Sequence, residues 1–298
     1  MIDTNAVIEI NNLSKQYKGF ELNIPKLNIP KGFATALIGE NGAGKSTLLS
    51  IIAGTRLQYD GEVTCFEGKY NDSEKREKMG YVSATNYFLP SWTLKQVETG
   101  CDMLYENFSK EEFTNWCKKL DVSEPSGKGK AKMITKMSDG MQMKVMLASV
   151  FARDTECLVL DEPASPLDPL MRDYLCQMIR EYLDMKNGEG SVFFSTHNIS
   201  DMENVTDYAI IMEKGKIVEE GYVDDLKEKY VLIKGDEEDI EAAEKVLFSI
   251  TKSKFGFEGL CLSDDVDKLA GMNIATEVPS LSQISVAVMK KYTALREA

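Results

Sequence analysis

The sequence predicts an α/β protein built on a parallel or mixed β-sheet. Strand-type apolar runs alternate with helical patterns over roughly the first 230 residues. A glycine-rich turn at residues 39–46 lies between one apolar strand and one helix, which is the alternation that such a sheet requires. The chain has 298 residues, 43% of them hydrophobic and 28% charged, which is ordinary for a globular protein with its own core.

Charge and cysteine content narrow the class of function. The net charge of −13 disfavours a protein that binds DNA, RNA or anionic lipid through its surface. No apolar run approaches the ~18 residues of a membrane span, and residues 1–12 do not resemble a secretory signal. The six cysteines have no zinc or CxxC spacing, so we expect free thiols in a reducing cytosol. Composition therefore predicts neither a nucleic-acid partner nor a lipid anchor.

Local patterns of apolar and turn residues predict the individual strands and helices. Apolar runs predict strands at residues 7–10, 33–39 and 191–196. Two short runs around a Lys-Gly turn predict a hairpin over residues 209–221. The stretch from about residue 86 to 150 is rich in methionine and aromatic residues with helical spacing, so we expect a helical insertion there.

The composition changes again in the last part of the chain. We expect residues 1–228 to form the main domain and residues 229–298 a small α+β accessory domain. An amphipathic helix is predicted at residues 239–252 between two strand-type runs. A terminal helix is predicted to begin with Ser280 or Ser282 as its N-cap.

Residues 39–46 read Gly-Glu-Asn-Gly-Ala-Gly-Lys-Ser and fit the phosphate-binding pattern G-x-x-x-x-G-K-[ST]. Gly42 and Gly44 allow the backbone to wrap around phosphates, and the following helix N-terminus favours an anion. Lys45 is expected to reach the β- and γ-phosphates and Ser46 to bind Mg²⁺. The predicted nucleotide contacts are Asn41, Gly42, Ala43, Gly44, Lys45, Ser46 and Thr47.

Two acids end the apolar strand-type run at residues 157–160. Asp161 stands where a phosphate-loop protein holds its Mg²⁺ shell, and Glu162 stands where a carboxylate polarises an attacking water. An acid at the end of a strand is as often structural. No Asn-Lys-x-Asp motif for guanine is present, whereas MSDGMQ precedes this strand, SPLD follows it, and STH ends the next strand.

Together these motifs resemble those of the ATP-binding subunit of an ABC transporter, over residues ~7–221. The resemblance implies a RecA-like P-loop NTPase core with an antiparallel β part, a helical subdomain at about residues 86–150 and an ATPase activity. It implies that Tyr17 stacks on adenine, that Ser138 and Gly140 belong to the signature motif, and that His197 senses the γ-phosphate.

The resemblance also implies partners. In this family two such chains meet head to tail. Each ATP with its Mg²⁺ would lie between the phosphate loop of one chain and Ser138 and Gly140 of the other. Glu162 would act on the attacking water. A homodimer is the default and a heterodimer stays open. A separate permease would hold the chain at the cytoplasmic face of the cell membrane. The last ~70 residues resemble tails of Gram-positive exporters of peptides or antibiotics, which favours export.

Three features depart from the family pattern or leave alternatives open. The family has a glutamine where residues 83–85 read Ser-Ala-Thr, and Asp139 replaces a glycine or basic residue of the signature. The aromatic residues of YFLPSW, at residues 87–92, either fill the core of the insertion or line a groove for a permease helix. The alternative functions are a soluble ABC-type ATPase in DNA repair or translation, and a catalytically weak regulatory subunit.

Overall fold

The computed structural model describes residues 6–122, 132–254 and 256–297. The sequence SGKGKAK at residues 126–132 predicts a polar joint within the insertion, and all of it except Lys132 lies outside the described residues. The strands are β1 (Ala6–Tyr17), β2 (Phe20–Pro30), β3 (Ala34–Ile38), β4 (Asp60–Cys65), β5 (Met79–Val82), β6 (Cys157–Leu160), β7 (Ser191–Thr196), β8 (Tyr208–Glu213), β9 (Lys216–Tyr222), β10 (Tyr230–Gly235), β11 (Phe248–Ser253), β12 (Gly256–Leu262) and β13 (Ile274–Glu277). The α-helices are α1 (Lys45–Ile52), α2 (Asp72–Lys78), α3 (Leu94–Leu104), α4 (Lys110–Lys119), α5 (Asp139–Phe151), α6 (Pro169–Met185), α7 (Val223–Lys229), α8 (Ile240–Ala243) and α9 (Leu281–Glu297).

A six-stranded sheet in the order β5-β6-β7-β3-β8-β9 forms the centre of the molecule. Its first five strands are parallel, and β9 pairs antiparallel with β8 as the predicted hairpin. Every residue of β3, β6 and β7 is buried, which fits their continuous apolar runs because both faces of the sheet are covered. The predicted α/β class is confirmed.

A second, antiparallel sheet in the order β2-β1-β4 covers one face of the central sheet. Alternate residues of β1 and β2 point inward, and this core joins α1 to the central strands through residues such as Leu37 and Phe193. The adjacent residues on the same strands, Ala36 and Phe194, belong to the core on the opposite face. That second core includes residues of α5 and α6.

The insertion between β5 and β6 carries α3, α4 and α5. Side-chain caps explain where two of these helices begin, because Ser109 accepts a hydrogen bond from the N–H of Glu112 and Ser138 from that of Met141. Buried residues of these helices, such as Trp116, pack with Phe151 and join the core on that face. The insertion is therefore packed against the rest of the chain.

The last part of the chain forms a four-stranded antiparallel sheet in the order β11-β12-β10-β13. The helix predicted at residues 239–252 is wrong: α8 covers only four residues, and residues 248–253 form the strand β11. Ser280 caps α9, since its Oγ accepts a hydrogen bond from the N–H of Gln283. Leu281 and Ile284 of α9 are fully buried in the same core as α5 and α6.

Candidate nucleotide site

The phosphate loop joins the buried strand β3 to α1 at the carboxyl edge of the central sheet. Gly42 and Gly44 have φ angles of +86° and +109°, which side-chain-bearing residues rarely adopt. A Cβ atom on Gly44 would lie 2.8 Å from the Phe20 ring, so a side chain there would also collide with β2. Asn41 and Ser46 are exposed, and the N-terminus of α1 is left open to an anion because Gly44 has no side chain to cap it.

A buried cation lies beneath the loop. Lys45 is 5% exposed, and its Nζ donates hydrogen bonds to the carbonyl oxygens of Gly39 at 2.7 Å and Glu40 at 3.2 Å. The same Nζ lies 3.2 Å from Oε1 of Glu162. A phosphate entering the loop would therefore replace a carboxylate as the anionic partner of Lys45.

Glu162 connects this cation to the single histidine of the chain. Its Oε2 lies 2.7 Å from Nδ1 of His197, and its backbone has a φ angle of +50°. His197 follows β7 and Glu162 follows β6, which are neighbouring parallel strands, so both side chains come from one edge of the sheet. The structure thus places Lys45, Glu162 and His197 in direct contact.

Asp161 is the buried acid of the same site. Its side chain is 2% exposed, and Oδ1 accepts a hydrogen bond of 2.6 Å from the hydroxyl of Ser195. The Ser195 oxygen in turn accepts a hydrogen bond of 2.9 Å from the backbone N–H of Glu162. The Ser195 hydroxyl therefore positions both the Asp161 side chain and the Glu162 backbone, which follow β6. Sequence reasoning assigned no role to Ser195, although its place in the STH motif at the end of a buried strand was the available signal.

The donor set fits Mg²⁺ held together with a nucleotide. Among the described residues, no three His, Cys, Asp or Glu side chains are grouped as a metal centre. An exposed hydroxyl, Ser46, and a buried carboxylate, Asp161, are the expected protein ligands. Mg²⁺ ordinarily takes only one or two protein ligands and completes its shell with phosphate and water, so this sparse set suits it.

Tyr17 ends β1 close to the phosphate loop. Its ring centroid is 6.1 Å from that of Phe20, whose ring adjoins Gly44. The guanidinium of Arg56 lies 5.6 Å from the Tyr17 centroid and donates a hydrogen bond to the Tyr17 hydroxyl. The sequence did not predict that Arg56 contacts Tyr17, because two residues 39 positions apart leave no local pattern.

Ser138 and Gly140 lie in a different part of the chain from the phosphate loop. Both belong to the start of α5, and no hydrogen bond or ion pair within the described residues joins either of them to the loop. Ser138 is exposed, and a Cβ atom on Gly140 would lie 2.6 Å from the carbonyl oxygen of Pro166 in the SPLD turn. The signature and this turn are therefore packed together.

The departures from the family pattern have local explanations. The Ser83 hydroxyl donates to the carbonyl oxygen of Thr85, and the side-chain oxygen of Asn86 accepts from the N–H of Phe88 at 3.0 Å. These polar groups are therefore engaged in turns of their own backbone. Asp139 is exposed in the first turn of α5, where a negative charge favours the helix.

A groove of about 790 Å³ lies beside the nucleotide site. It extends between the end of α1, the strand β5 and the helical insertion, and the aromatic residues Tyr87, Phe88 and Trp92 line it. The Phe88 and Trp92 rings are stacked with centroids 6.5 Å apart. Tyr87 is 46% exposed as a whole residue, but its hydroxyl lies 3.5 Å from that of Ser149, and burial raises the pKa of this hydroxyl. We call this cavity the subdomain groove.

Comparison with known proteins identifies the family. A family model described as ABC transporter matches residues 22–165, which include the phosphate loop, the signature and the two acids after β6. The bacitracin transport ATP-binding protein BcrA of Enterococcus faecalis is 31% identical over 236 residues, covering 77% of this chain and 73% of BcrA. The nickel import ATP-binding protein NikO of Rhodobacter capsulatus is 28% identical over 226 residues, covering 72% of this chain and 88% of NikO.

A solved structure of an ATP-binding subunit of an ABC transporter has the same fold. It matches with a TM-score of 0.62 and 25% identity, over 74% of this chain and 92% of that one. The predicted RecA-like core, with its antiparallel part and its helical insertion, is thereby confirmed.

The Ser195 hydroxyl provides the first test of the site. We expect Ser195→Ala to lower the rate of ATP hydrolysis by about tenfold or more, since loss of a group that orients a metal-binding acid typically has this effect. The measurement is phosphate release at saturating ATP over a range of Mg²⁺ concentrations, with higher Mg²⁺ restoring part of the rate.

Ser191→Ala is the matched control, because Ser191 begins the same strand at the opposite edge of the sheet and contacts the N–H of Gly32. Equal rates for the wild type and Ser195→Ala would show that this hydroxyl does not position Asp161.

Proposed function

Since the chain belongs to the family of ABC transporter ATP-binding proteins, we propose that it powers export through a separate membrane permease. The ATP-binding role and the ATPase activity follow from family membership. The transport direction, the substrate, the partner chains and the part played by each site residue belong to the proposal. The observation that carries the site roles is the contact of Lys45, Glu162 and His197 at the edge of the central sheet.

Hydrolysis is assigned to the chain's own residues as follows. Lys45 and the N–H groups of the loop bind the phosphates, and Tyr17 stacks on the base. Glu162 accepts the proton of the attacking water, and His197 holds the Glu162 carboxylate and contacts the γ-phosphate. Ser46 and Asp161 would hold Mg²⁺, which would neutralise part of the phosphate charge. The arriving phosphate opens the ion pair between Lys45 and Glu162.

A second chain completes the site in this proposal. The exposed Ser138 caps the N-terminus of α5, a helix end that favours an anion, and within the described residues it has no hydrogen bond or ion pair with its own phosphate loop. A head-to-tail pair would bring Ser138 and Gly140 of one chain onto the nucleotide of the other. Two copies of this chain form the simplest such pair.

The permease is assigned to the subdomain groove. Among the described residues no helix has the length and apolar character needed to cross a bilayer. The groove offers aromatic and aliphatic side chains at the surface, including Leu57 at 80% and Leu89 at 56% exposure. Exposed apolar clusters of this kind mark interaction sites, which favours a membrane partner over a soluble ATPase acting without one. The chain would then act at the cytoplasmic face of the membrane.

Export of peptides or antimicrobials is the finer part of the proposal. Similarity to a bacitracin transport protein supports this substrate class, whereas similarity to a nickel import protein supports the opposite direction. Accumulation of a labelled peptide antibiotic distinguishes the two. Cells that lack this chain should retain more of the peptide if it exports and less if it imports.

A weak regulatory subunit is the second candidate, favoured by the Ser-Ala-Thr sequence at residues 83–85 where relatives of the family have glutamine. The retained Lys45, Glu162 and His197 cluster opposes it, because these are the groups to which the proposed reaction assigns phosphate binding and proton transfer. Turnover of the purified chain separates the two candidates.

Glu162→Gln tests the reaction and the two-chain site together. The substitution keeps the side-chain shape but removes the proton acceptor, so we expect ATP turnover to fall by ~100-fold or more. Uncleaved ATP should then hold two chains together, which sedimentation in saturating Mg-ATP would detect.

Glu62→Gln, in an exposed position of β4, is the matched control and should behave as the wild type. A Glu162→Gln chain that stays monomeric in Mg-ATP, alone and with each candidate second cassette, would contradict the two-chain site. A wild type without turnover would favour the regulatory alternative.

Trp92→Ala tests the groove as the permease site. Because the Trp92 ring stacks on Phe88 and covers Gly100, its loss should weaken retention of the chain on native membranes while ATP binding persists. Retention is measured by sedimentation of membranes with added purified chain.

Leu89→Glu is a second variant that does not depend on core packing, because Leu89 is exposed. Met185→Glu, at the exposed end of α6, is the control. Undiminished membrane retention of Leu89→Glu would exclude the groove as the docking site.

A further inference from the structure

A polar bridge joins the SPLD turn to the segment that follows His197. The side chain of Asp168, the last residue of the turn, caps α6. In the first turn of α6, Arg172 donates a hydrogen bond of 2.8 Å from Nε to the carbonyl oxygen of Leu167. Its Nη1 lies 2.9 Å from Oδ2 of Asp201, which belongs to the short turn after the histidine. One guanidinium therefore connects the segment after β6 to the segment after β7.

The bridge extends to the residue beside the histidine. Oδ2 of Asp201 also accepts a hydrogen bond of 3.0 Å from the side-chain amide of Asn198. The N–H of Asn198 donates to the hydroxyl of Thr196, at 3.0 Å. Since Thr196 ends β7 and Asn198 directly follows His197, side chains fix the backbone on both sides of the histidine. We call Arg172, Asp201 and Asn198 the arginine bridge.

The orientation of the histidine ring depends on this backbone. The His197 side chain is 42% exposed, and its Nδ1 contacts Oε2 of Glu162 at 2.7 Å. Little packing restricts an imidazole with this exposure, so the position of its Cα decides whether the ring reaches Glu162. The side chains of Arg172 and Asp201 are better shielded, with exposures of 28% and 25%, and a charged hydrogen bond of this kind is stronger than a fully exposed pair. The arginine bridge is therefore able to hold the backbone next to the ring.

We propose that Arg172 and Asp201 are positioning residues for ATP hydrolysis, which hold the backbone at His197 so that the imidazole meets Glu162. This inference rests on the proposed role of His197 and adds two residues that act through the histidine rather than on the substrate. The turn to which Arg172 is bonded also packs against Gly140 of the signature. The orientation of the ring is thus tied to that turn as well as to its own strand.

The kinetics of the purified full-length chain test the bridge. Arg172→Met removes the guanidinium, and we expect kcat for ATP hydrolysis to fall by about tenfold, because small displacements of a reacting group have effects of this size or larger. KM for ATP should change by less than about twofold, since the phosphate loop is untouched. Asp201→Asn keeps an acceptor for Asn198 and should lower kcat severalfold. Thermal unfolding reports whether each variant is folded, and Asp201→Asn carries the test if Arg172→Met is not.

A double-mutant cycle identifies the group through which the bridge acts. His197→Ala alone should lower kcat by about tenfold or more. Adding Arg172→Met to His197→Ala should lower kcat by less than about a further twofold, because the ring that the bridge holds is already gone. A merely structural role of Arg172 would instead multiply the two losses.

The single histidine of the chain provides a spectroscopic readout that needs no turnover. In protein without a histidine tag, isotope-labelled histidine gives one imidazole signal in nuclear magnetic resonance. This signal should shift or broaden in Arg172→Met at fixed pH and without nucleotide.

Arg180→Met is the matched control for Arg172→Met. Arg180 has the same charge, lies exposed on the same helix, and donates a hydrogen bond of 2.8 Å to the carbonyl oxygen of Asn204 in the same segment. Within the described residues, no hydrogen bond or ion pair joins it to the SPLD turn or to Asn198. Both kcat and the imidazole signal of this control should remain as in the wild type.

The outcomes separate the bridge from the proposed function. A wild-type rate in His197→Ala would overturn the proposed role of His197 and the bridge with it. If His197→Ala is slow, a wild-type rate in Arg172→Met, losses that multiply, or an equal loss in Arg180→Met would overturn the bridge alone. An imidazole signal that is unchanged in Arg172→Met would also overturn the bridge and leave the role of His197 standing.

Discussion

The site depends on the close pairing of three buried parallel strands. β6, β7 and β3 are neighbours in one sheet, and all of their residues are buried. Their carboxyl ends therefore deliver the phosphate loop, the two acids and His197 to one edge, where ligands of open α/β sheets bind. A shift of one residue in any strand would turn alternate side chains to the opposite face and separate these groups.

The helix α1 connects this edge to the subdomain groove. Lys45 begins the helix at the phosphate loop, and Ile51 and Ile52 at its end line the groove. Eight residues of helix span only about 12 Å, so the two sites are close neighbours on one rigid element. Arg56, just beyond the helix, contacts Tyr17 and also lines the groove. A segment seated in the groove would thus lie against a side chain that supports Tyr17.

Local patterns made much of the fold predictable. The phosphate loop, the buried strands and the Lys-Gly hairpin each carry a short signal of spacing, continuous hydrophobicity or turn residues. The predicted helix at residues 239–252 was wrong because pairing with β12 decided the outcome. Ile250 and Thr251 are β-branched and suit a strand, and Phe248 pairs with Leu260.

Contacts between distant residues could not be predicted in the same way. The hydroxyl of Ser195 between two acids, and the guanidinium of Arg56 on Tyr17, arise from strands and loops brought together by the sheet. Arg56 and Arg76 likewise border one groove only because the fold brings α2 beside the end of α1.

The ion pair of Lys45 with Glu162 has a consequence for the timing of the cycle. If Lys45 binds phosphate as proposed, the buried ammonium has the Glu162 carboxylate as its partner in the empty site and a phosphate in the occupied one. Entry of a nucleotide is then an exchange of one anion for another, and the free energy gained at Lys45 is reduced by the pair that opens. In this proposal the same exchange would run in reverse after cleavage, when the returning carboxylate would compete with the spent nucleotide and hasten its departure.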